Sequence, residues 1–232
     1  MLLGLDTNTA NAALVSHWEF DEGSGNIAYD SINGNNGNIY GATWTTGIIG
    51  GALDFDGVDD YVKTLNNIFT NAHLAAGATL SAWFKTDSSN YGYVADDEGY
   101  LALGVNLYTH PNKLLGTADG GVHIYYSSSN VNDNLWHHVA IVWDGTNTSI
   151  LYLDGVSESF GTSGPPTPNI KNRPFTIGVH STISAYLNGI IDDVRIYNHA
   201  LSQSEIQALI PEPATLLLLG LGGLALLRKR RA

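Results

Sequence analysis

The 232-residue chain predicts an all-β fold: a two-sheet antiparallel β-sandwich followed by a short C-terminal hydrophobic helix. Three observations carry this expectation. Stretches of strand-like alternation recur between turn signals spaced roughly 8–12 residues apart. The composition is that of strands and turns, with 26 Gly, 12 Tyr and only 14% charged residues. No strand-like run alternates with helices long enough for βαβ crossovers, which argues against a parallel sheet. Roughly twelve to fourteen short strands in one unit need two stacked sheets to bury their faces.

The first strand is expected over residues 14–20, with Leu14, Ser16, Trp18 and Phe20 on one face. The DEGSG cluster at 21–25 turns the chain, and DSINGNNG at 30–37 is a loop of residues that tolerate positive φ. Short strands flank Gly41, and Ala52-Leu53-Asp54-Phe55 enters a hairpin through Asp56-Gly57, leaving by Tyr61-Val62. Residues 71–76 read as one helical turn. Strands are expected over 79–85, on both sides of 96–99, over 122–126, over 136–143 (WHHVAIVW) and over 149–153. Ser127 to Asn134 reads as an Asn- and Ser-rich loop. GTSGPPTP at 161–168 is also expected to be a loop, since proline removes ladder donors. Strands resume at 175–178 and 187–197. Ser202 with Glu205 three residues on forms a capping box for a helix that ends before Pro211.

Charge is unevenly distributed. Four of the ten cations are Arg228, Lys229, Arg230 and Arg231, and one of the 22 acids is Glu212. The remaining body holds six cations against 21 acids, which argues against nucleic acid as a partner. It suits cation binding or a neutral glycan. Without cysteine, no disulfide or thiolate metal site exists, and calcium is an alternative staple for an exported domain.

Both ends read as targeting segments. Ala10-Asn11-Ala12 has the small-x-small form of a signal-peptidase site, so residues 1–12 are taken as the remnant of a signal peptide. At the other end, residues 210–232 hold Pro211-Glu212-Pro213, an uncharged run over 214–227 and the basic cluster. Proline blocks a helix arriving from Ile210. The 14-residue run forms a helix of roughly 21 Å, short of the hydrocarbon thickness of about 30 Å. Terminal cations favour the cytoplasmic side. Residues 13–209 form the domain between these segments.

The order Pro-Glu-Pro, apolar run, basic cluster resembles the PEP-CTERM sorting signal of Gram-negative bacteria. The resemblance implies handling by an exosortase-type enzyme at the inner membrane. The chain would be tethered there by a short transmembrane helix before release to the cell surface or extracellular matrix. Five further phrases occur in order: HWEFDEGSGNIAYDSINGNNGNIYGATW, GALDFDGVDDYV, TLSAWFK, WHHVAIVWDG with LYLDG, and NGIIDDVRIYNHALSQSEI. They resemble the LamG-like jelly roll of the concanavalin A-like lectin/glucanase superfamily over about residues 14–209. That likeness implies adjacent first and last strands, bringing residues 18–22 near Asp192 and Asp193.

Calcium needs six to eight oxygens from carboxylates, carbonyls and water, and Asp/Gly turns supply them. The turn Asp56-Gly57-Val58-Asp59-Asp60 and the pair Asp192-Asp193 are the candidates. The resemblance adds a structural calcium joining Asp192 or Asp193 to a backbone oxygen near Gly57, with Glu22 as a further ligand. The competing reading has these acids capping turns and pairing with Arg195 or Lys63. No catalytic residues are assigned. Glu19, Asp21 and Glu22 come closest to a paired-carboxylate site, but they do not follow the spacing of a Glu-x-Asp-x-Glu-like strand and they fall at a Gly-rich turn. His137-His138 reads as a strand pair, one facing in and one out. Tyrosines at 91, 93, 100, 108, 125 and 126 offer an aromatic surface for a glycan. The expected function is a non-enzymatic, exported protein binding extracellular polysaccharide or surface glycan. A purely structural surface protein and a degenerate glycan hydrolase or lyase are the alternatives.

Overall fold

The computed structural model describes residues 13–68, 75–97, 102–106, 112–117, 124–162, 174–180 and 184–211, and counts refer to these. Strands β1 (Leu14–Trp18), β2 (Ile27–Ala28), β3 (Gly37–Tyr40), β4 (Thr43–Thr46), β5 (Gly51–Asp56) and β6 (Tyr61–Thr64) come first. The middle of the chain forms β7 (Ala78–Lys85), β8 (Gly92–Asp96), β9 (Ala102–Asn106), β10 (Lys113–Thr117), β11 (Tyr125–Asn130) and β12 (Trp136–Trp143). β13 (Thr148–Leu153), β14 (Val156–Thr162), β15 (Thr176–Ile177), β16 (Val179–His180), β17 (Ala185–Tyr186) and β18 (Asn188–Tyr197) follow. Helix α1 (Gln203–Ala208) closes the unit.

Two eight-stranded sheets result. The first runs β14-β13-β12-β7-β18-β5-β4, and the second β11-β10-β9-β8-β15-β6-β3-β2. β16 and β17 form a separate small hairpin. The long strand β18 organises the first sheet. One edge pairs with β7; the other pairs first with β5 over 188–191 and then with β1 over 194–197. First and last strands are therefore neighbours, with His17 opposite Arg195.

Alternation sorts the side chains between layers. Leu80, Ala82 and Phe84 of β7 and Val139, Ile141 and Trp143 of β12 point into the space between the sheets. They meet Val62, Val94, Leu114 and Ile177 of the second sheet. Trp18 and Phe175, both fully buried, stack with centroids 5.3 Å apart and planes within 8°. The outer face of the first sheet is partly sealed by α1, whose Ile206 covers Ala140, Val142 and Tyr152 with help from Leu201. The expected capping box is present in full. Gln203 and Gln207 each donate to the Gly155 carbonyl at 3.3 Å, tying α1 to the β13–β14 turn.

The two strands expected around 96–99 are β8 and β9. Two expectations need correction. β11 runs to Asn130, so Ser127 to Asn130 are strand rather than loop. β14 continues through Gly161 and Thr162, which pair with Ser149 and Thr148. Both are polar strands at the two sheet edges, where hydrophobic alternation is weakest. The signal-peptide remnant 1–12, residues 163–168 of the expected loop, residues 122–123 of the expected strand, Tyr100, Tyr108, and positions 71–74 of the helical turn lie outside the described residues. So does the tail from Glu212 onward, including Pro213, Arg228, Lys229, Arg230 and Arg231. Among the described residues no helix is long and apolar enough to cross a membrane.

Candidate functional site

Asp192 and Asp193 are adjacent in sequence but serve different partners. A bulge in β18 makes them so: Asp192 stands opposite Trp83 and Arg195 opposite Ser81, with Asp193 at φ 53 between them. Asp192 is fully buried, and its Oδ2 accepts from the backbone N–H of Ile48 (2.9 Å) and Ile49 (3.1 Å). Its Oδ1 is buried without a hydrogen-bond partner. Burial pushes the Asp192 carboxyl up to about 7, against the pull of those N–H groups. Asp193 accepts from His17 Nε2 at 2.5 Å and from Arg195 Nη2 at 2.9 Å. Burial raises its pKa, but His17 and the Arg195 guanidinium outweigh that, leaving Asp193 below the usual carboxylate range.

The loop against Asp192 is 47–51, not the turn at Gly57. A Cβ on Gly47 would collide with Asp192 Oδ2, and one on Gly51 with the Phe20 carbonyl. Asp21 Oδ1 accepts from Gly51 N at 2.6 Å. Glu22 Oε1 accepts from Tyr29 N at 2.6 Å, while its Oε2 is buried without a partner. Glu19, Asp21 and Glu22 line a cavity of about 210 Å³ together with Tyr29 and Ser31. The three acids thus converge, although Glu19 also reaches His17 Nδ1 at 3.3 Å.

Asp56, Gly57 and Asp59 form a separate acidic turn between β5 and β6. Asp56 Oδ1 accepts from Val58 N (2.8 Å) and Asp59 N (3.4 Å), and Asp60 Oδ2 from Asp56 N (2.9 Å). Carboxylate oxygens of Asp56, Asp59 and Asp60 lie within 4.8 Å of one another. Burial, and then the neighbouring acids, raise the Asp60 pKa. Asn188 faces this turn, donating to the Asp56 carbonyl at 2.9 Å. Asp192 lies four residues further along β18, roughly 13 Å at 3.3 Å per residue. The structure therefore does not bring Gly57 and Asp192 together.

The histidine pair divides as expected. His137 is held between Asp154 (Nδ1, 2.9 Å) and Asp133 (Nε2, 3.1 Å). His138 lies on the outer face, edge-on to Trp83 at 5.2 Å. Burial drops the His138 pKa to about 4.

The outer face of the second sheet carries the exposed aromatic surface, in a different place from the mid-chain tyrosines. Tyr93 and Tyr125 are buried, and Tyr91 and Tyr126 pack against Tyr93, Ala102 and Leu115. By contrast Tyr40, 44% exposed, stacks on its cross-strand partner Tyr61 with centroids 4.5 Å apart and planes at 16°. Tyr186 of the small hairpin continues the series, 6.4 Å from Tyr61. A cavity of about 140 Å³ lies between hairpin and sheet, lined by Tyr61, Lys63, Thr176, Val179 and Tyr186. Sequence reading placed Asp60 in the acidic turn and took Lys63 only as a pairing cation, and it missed these three tyrosines as a surface. Period-two alternation in Tyr61-Val62-Lys63 marked the outward side chains, but nothing local places Tyr186 beside them.

A family model described as the concanavalin A-like lectin/glucanases superfamily matches residues 56–207. A second, described as the PEP-CTERM protein-sorting motif, matches residues 209–231 and implies export through an exosortase. The chain is 27% identical over 154 residues to adhesion G-protein coupled receptor V1 of Danio rerio, covering 61% of this chain and 2% of that protein. It therefore spans only a small part of that relative. Domain 4 of an extracellular arabinanase from Geobacillus stearothermophilus, in complex with arabinotriose, has a TM-score of 0.67 at 20% identity. The match covers 86% of this chain and 99% of that one. Trypanosoma rangeli sialidase matches with a TM-score of 0.64 at 16% identity, over 84% of this chain and 32% of that one. The binding domain of botulinum neurotoxin serotype D gives 0.61 at 15%, over 85% and 51%. The sandwich is thus shared with a domain that binds an oligosaccharide and with chains that include glycosidases. The chain belongs to the concanavalin A-like lectin/glucanases superfamily and carries a PEP-CTERM protein-sorting motif at its C-terminal end.

Proposed function

We propose that this is an exported, non-enzymatic surface or matrix protein that binds extracellular polysaccharide through the outer face of its second sheet. The observation that carries the reading is the stacked Tyr40–Tyr61 pair continued by Tyr186 beside a small cavity. Aromatic faces with a few polar groups around a concavity suit sugar rings, whose C–H faces are apolar and whose edges are polar. The arabinotriose complex of the similar arabinanase domain is in keeping with this reading. After translocation the sorting motif would hold the chain at the inner membrane through residues 214–227 until an exosortase-type enzyme processes it.

A structural calcium belongs to this proposal, either at Asp192 of β18 or at the Asp56, Asp59, Asp60 turn, whose carboxylate oxygens lie within 4.8 Å of one another. Asp192 Oδ1 and Glu22 Oε2 are buried carboxylate oxygens without protein partners, the donors that a hard cation uses. Bound at Asp192, calcium would supply charge compensation for its buried carboxylate. The Asp56, Asp59, Asp60 turn is the second acidic locus; Asp193, engaged by His17 and Arg195, serves structure.

The test is an oligosaccharide array probed with the full chain in calcium-containing buffer, alongside Tyr61→Ala. Binding by the parent chain, lost in the variant, is the expected outcome. An array blank in calcium would mean a purely structural surface role. Release of new reducing ends from a matrix polysaccharide would mean a hydrolase instead, with Glu19, Asp21 and Glu22 its acids.

A further inference from the structure

We infer that the cavity between the small hairpin and the second sheet selects glycans bearing isolated acidic sugars, with Lys63 reading the carboxylate; this rests on the sugar-binding reading of the tyrosine face. Lys63 follows Tyr61 on β6 by two residues, so both project from the same face. Its strand partners on either side are Asn38 and Thr176, neither of them charged. Among the described residues the Lys63 ammonium has no ion pair or hydrogen bond, and the hydroxyls of Tyr40, Tyr61 and Tyr186 donate to nothing. That is an unusual position for a cation here. Outside the basic tail the chain holds six cations against 21 acids, and Arg195 is already engaged by Asp193 at 2.9 Å.

Lys63 lines the cavity beside Tyr61 and Tyr186, and its long aliphatic stem lets the ammonium reach a ligand group there. There the ammonium meets a ligand group in partly desolvated surroundings, where a charge-assisted hydrogen bond is stronger than in bulk water. Asp96, across β15 on the same row, is buried against His180 at 3.6 Å. It is therefore not the partner of Lys63. The ligand class follows from two scales of charge. At contact range the unpaired ammonium favours a carboxylate over a hydroxymethyl group. Beyond a Debye length of about 8 Å the acidic body repels a dense polyanion. A polysaccharide with one uronic acid per repeat satisfies both conditions; a fully sulfated or fully uronic chain does not. The cavity, about 140 Å³, is below the range of roughly 300–1,000 Å³ for whole drug-sized ligands, which suits one sugar unit flanked by others stacked on Tyr40 and Tyr61.

The probe is a tetrasaccharide with a single glucuronic acid, compared with the same tetrasaccharide after carboxyl reduction to glucose. Calorimetry on the full chain should give at least about tenfold tighter binding of the acidic form, the scale of a hydrogen bond to a charged group. Lys63→Gln should collapse that ratio to near one by weakening the acidic form at least about tenfold more than the reduced form. Tyr61→Ala should weaken both. Equal affinities for the two glycans in the parent chain, or a preference that survives Lys63→Gln, would overturn the inference and leave the sugar-binding reading standing. Binding of neither glycan, with the array also blank, would overturn both.

Discussion

His17 Nε2 lies 2.5 Å from Asp193 Oδ1, a contact between residues 176 positions apart in the chain. It joins the first strand to the last across the bulge of β18, and Arg195 completes the cluster. Replacing Asp193 with Asn leaves Arg195 facing a neutral group. Because the Arg195 side chain keeps 20% exposure, the loss is smaller than for a fully buried pair. We expect about 2 kcal/mol, or about 4–8 °C in melting temperature. Asp193 is held below its ordinary value, so its contribution is present above pH 3.8 and is lost as pH falls below it. Wild type and variant should therefore converge in acid melts.

His137 titrates in the opposite sense. The hydrogen bond to Asp154 raises its pKa, burial works against that, and Asp133 adds to the rise. The stabilisation is complete below pH 6.5 and fades as pH climbs through the raised value. His137→Gln should cost about 1 kcal/mol at pH 6 and much less at pH 9, as measured by urea melts at the two pH values.

Asp192→Asn separates the metal reading from simple burial. In EDTA the variant should be as stable as the parent or more so, since the amide oxygen can still accept from Ile48 and Ile49 while no charge is buried. Calcium at a hundredfold excess over its Kd should stabilise the parent by about 2.7 kcal/mol and leave the variant unmoved. A parent melting curve indifferent to EDTA would remove calcium from the account.

Trp18→Ala should be among the most damaging single changes. It empties a fully buried site and unstacks Phe175. A loss of about 3–5 kcal/mol should appear as a lower urea midpoint with an unchanged slope.

Truncation after Pro211 should leave the melting temperature where it was. Ile206 and Leu201 already seal the outer face of the first sheet. A large drop would mean that residues 212–232 belong to the fold, and sorting defects after deletion of residues 228–231 would then need another explanation.

Much of the fold was legible in the sequence because it is set locally. WHHVAIVW carried the strongest strand signal, and Ser202 with Glu205 announced α1. The polar edge strands β11 and β14 were underread because Ser127 to Asn130 and Ser157 to Ser159 carry no apolar alternation to mark them. The acidic residues were found, but their grouping was not. A bulge invisible in the sequence sends Asp192 and Asp193 to different partners, and the Ile48–Asp192 contact spans 144 positions. Gly57 stood out because Asp56-Gly57 is a turn signal, whereas no local signal marked Gly47. Only β-pairing decides which loop reaches β18. Tyr40, Tyr61 and Tyr186 escaped for the same reason, since Tyr186 arrives on a two-residue strand with no signal of its own.

The placement of α1 also gives the molecule a front and a back. The helix lies on the outer side of the first sheet, and only Leu209 and Ile210 separate it from Pro211. The tyrosines lie on the outer side of the second sheet, one whole layer away. Under the proposed tethering by the C-terminal segment, the α1 side would be the one nearer the lipid. The tyrosines would then look outward into the medium, where a polymer would be met before the cell.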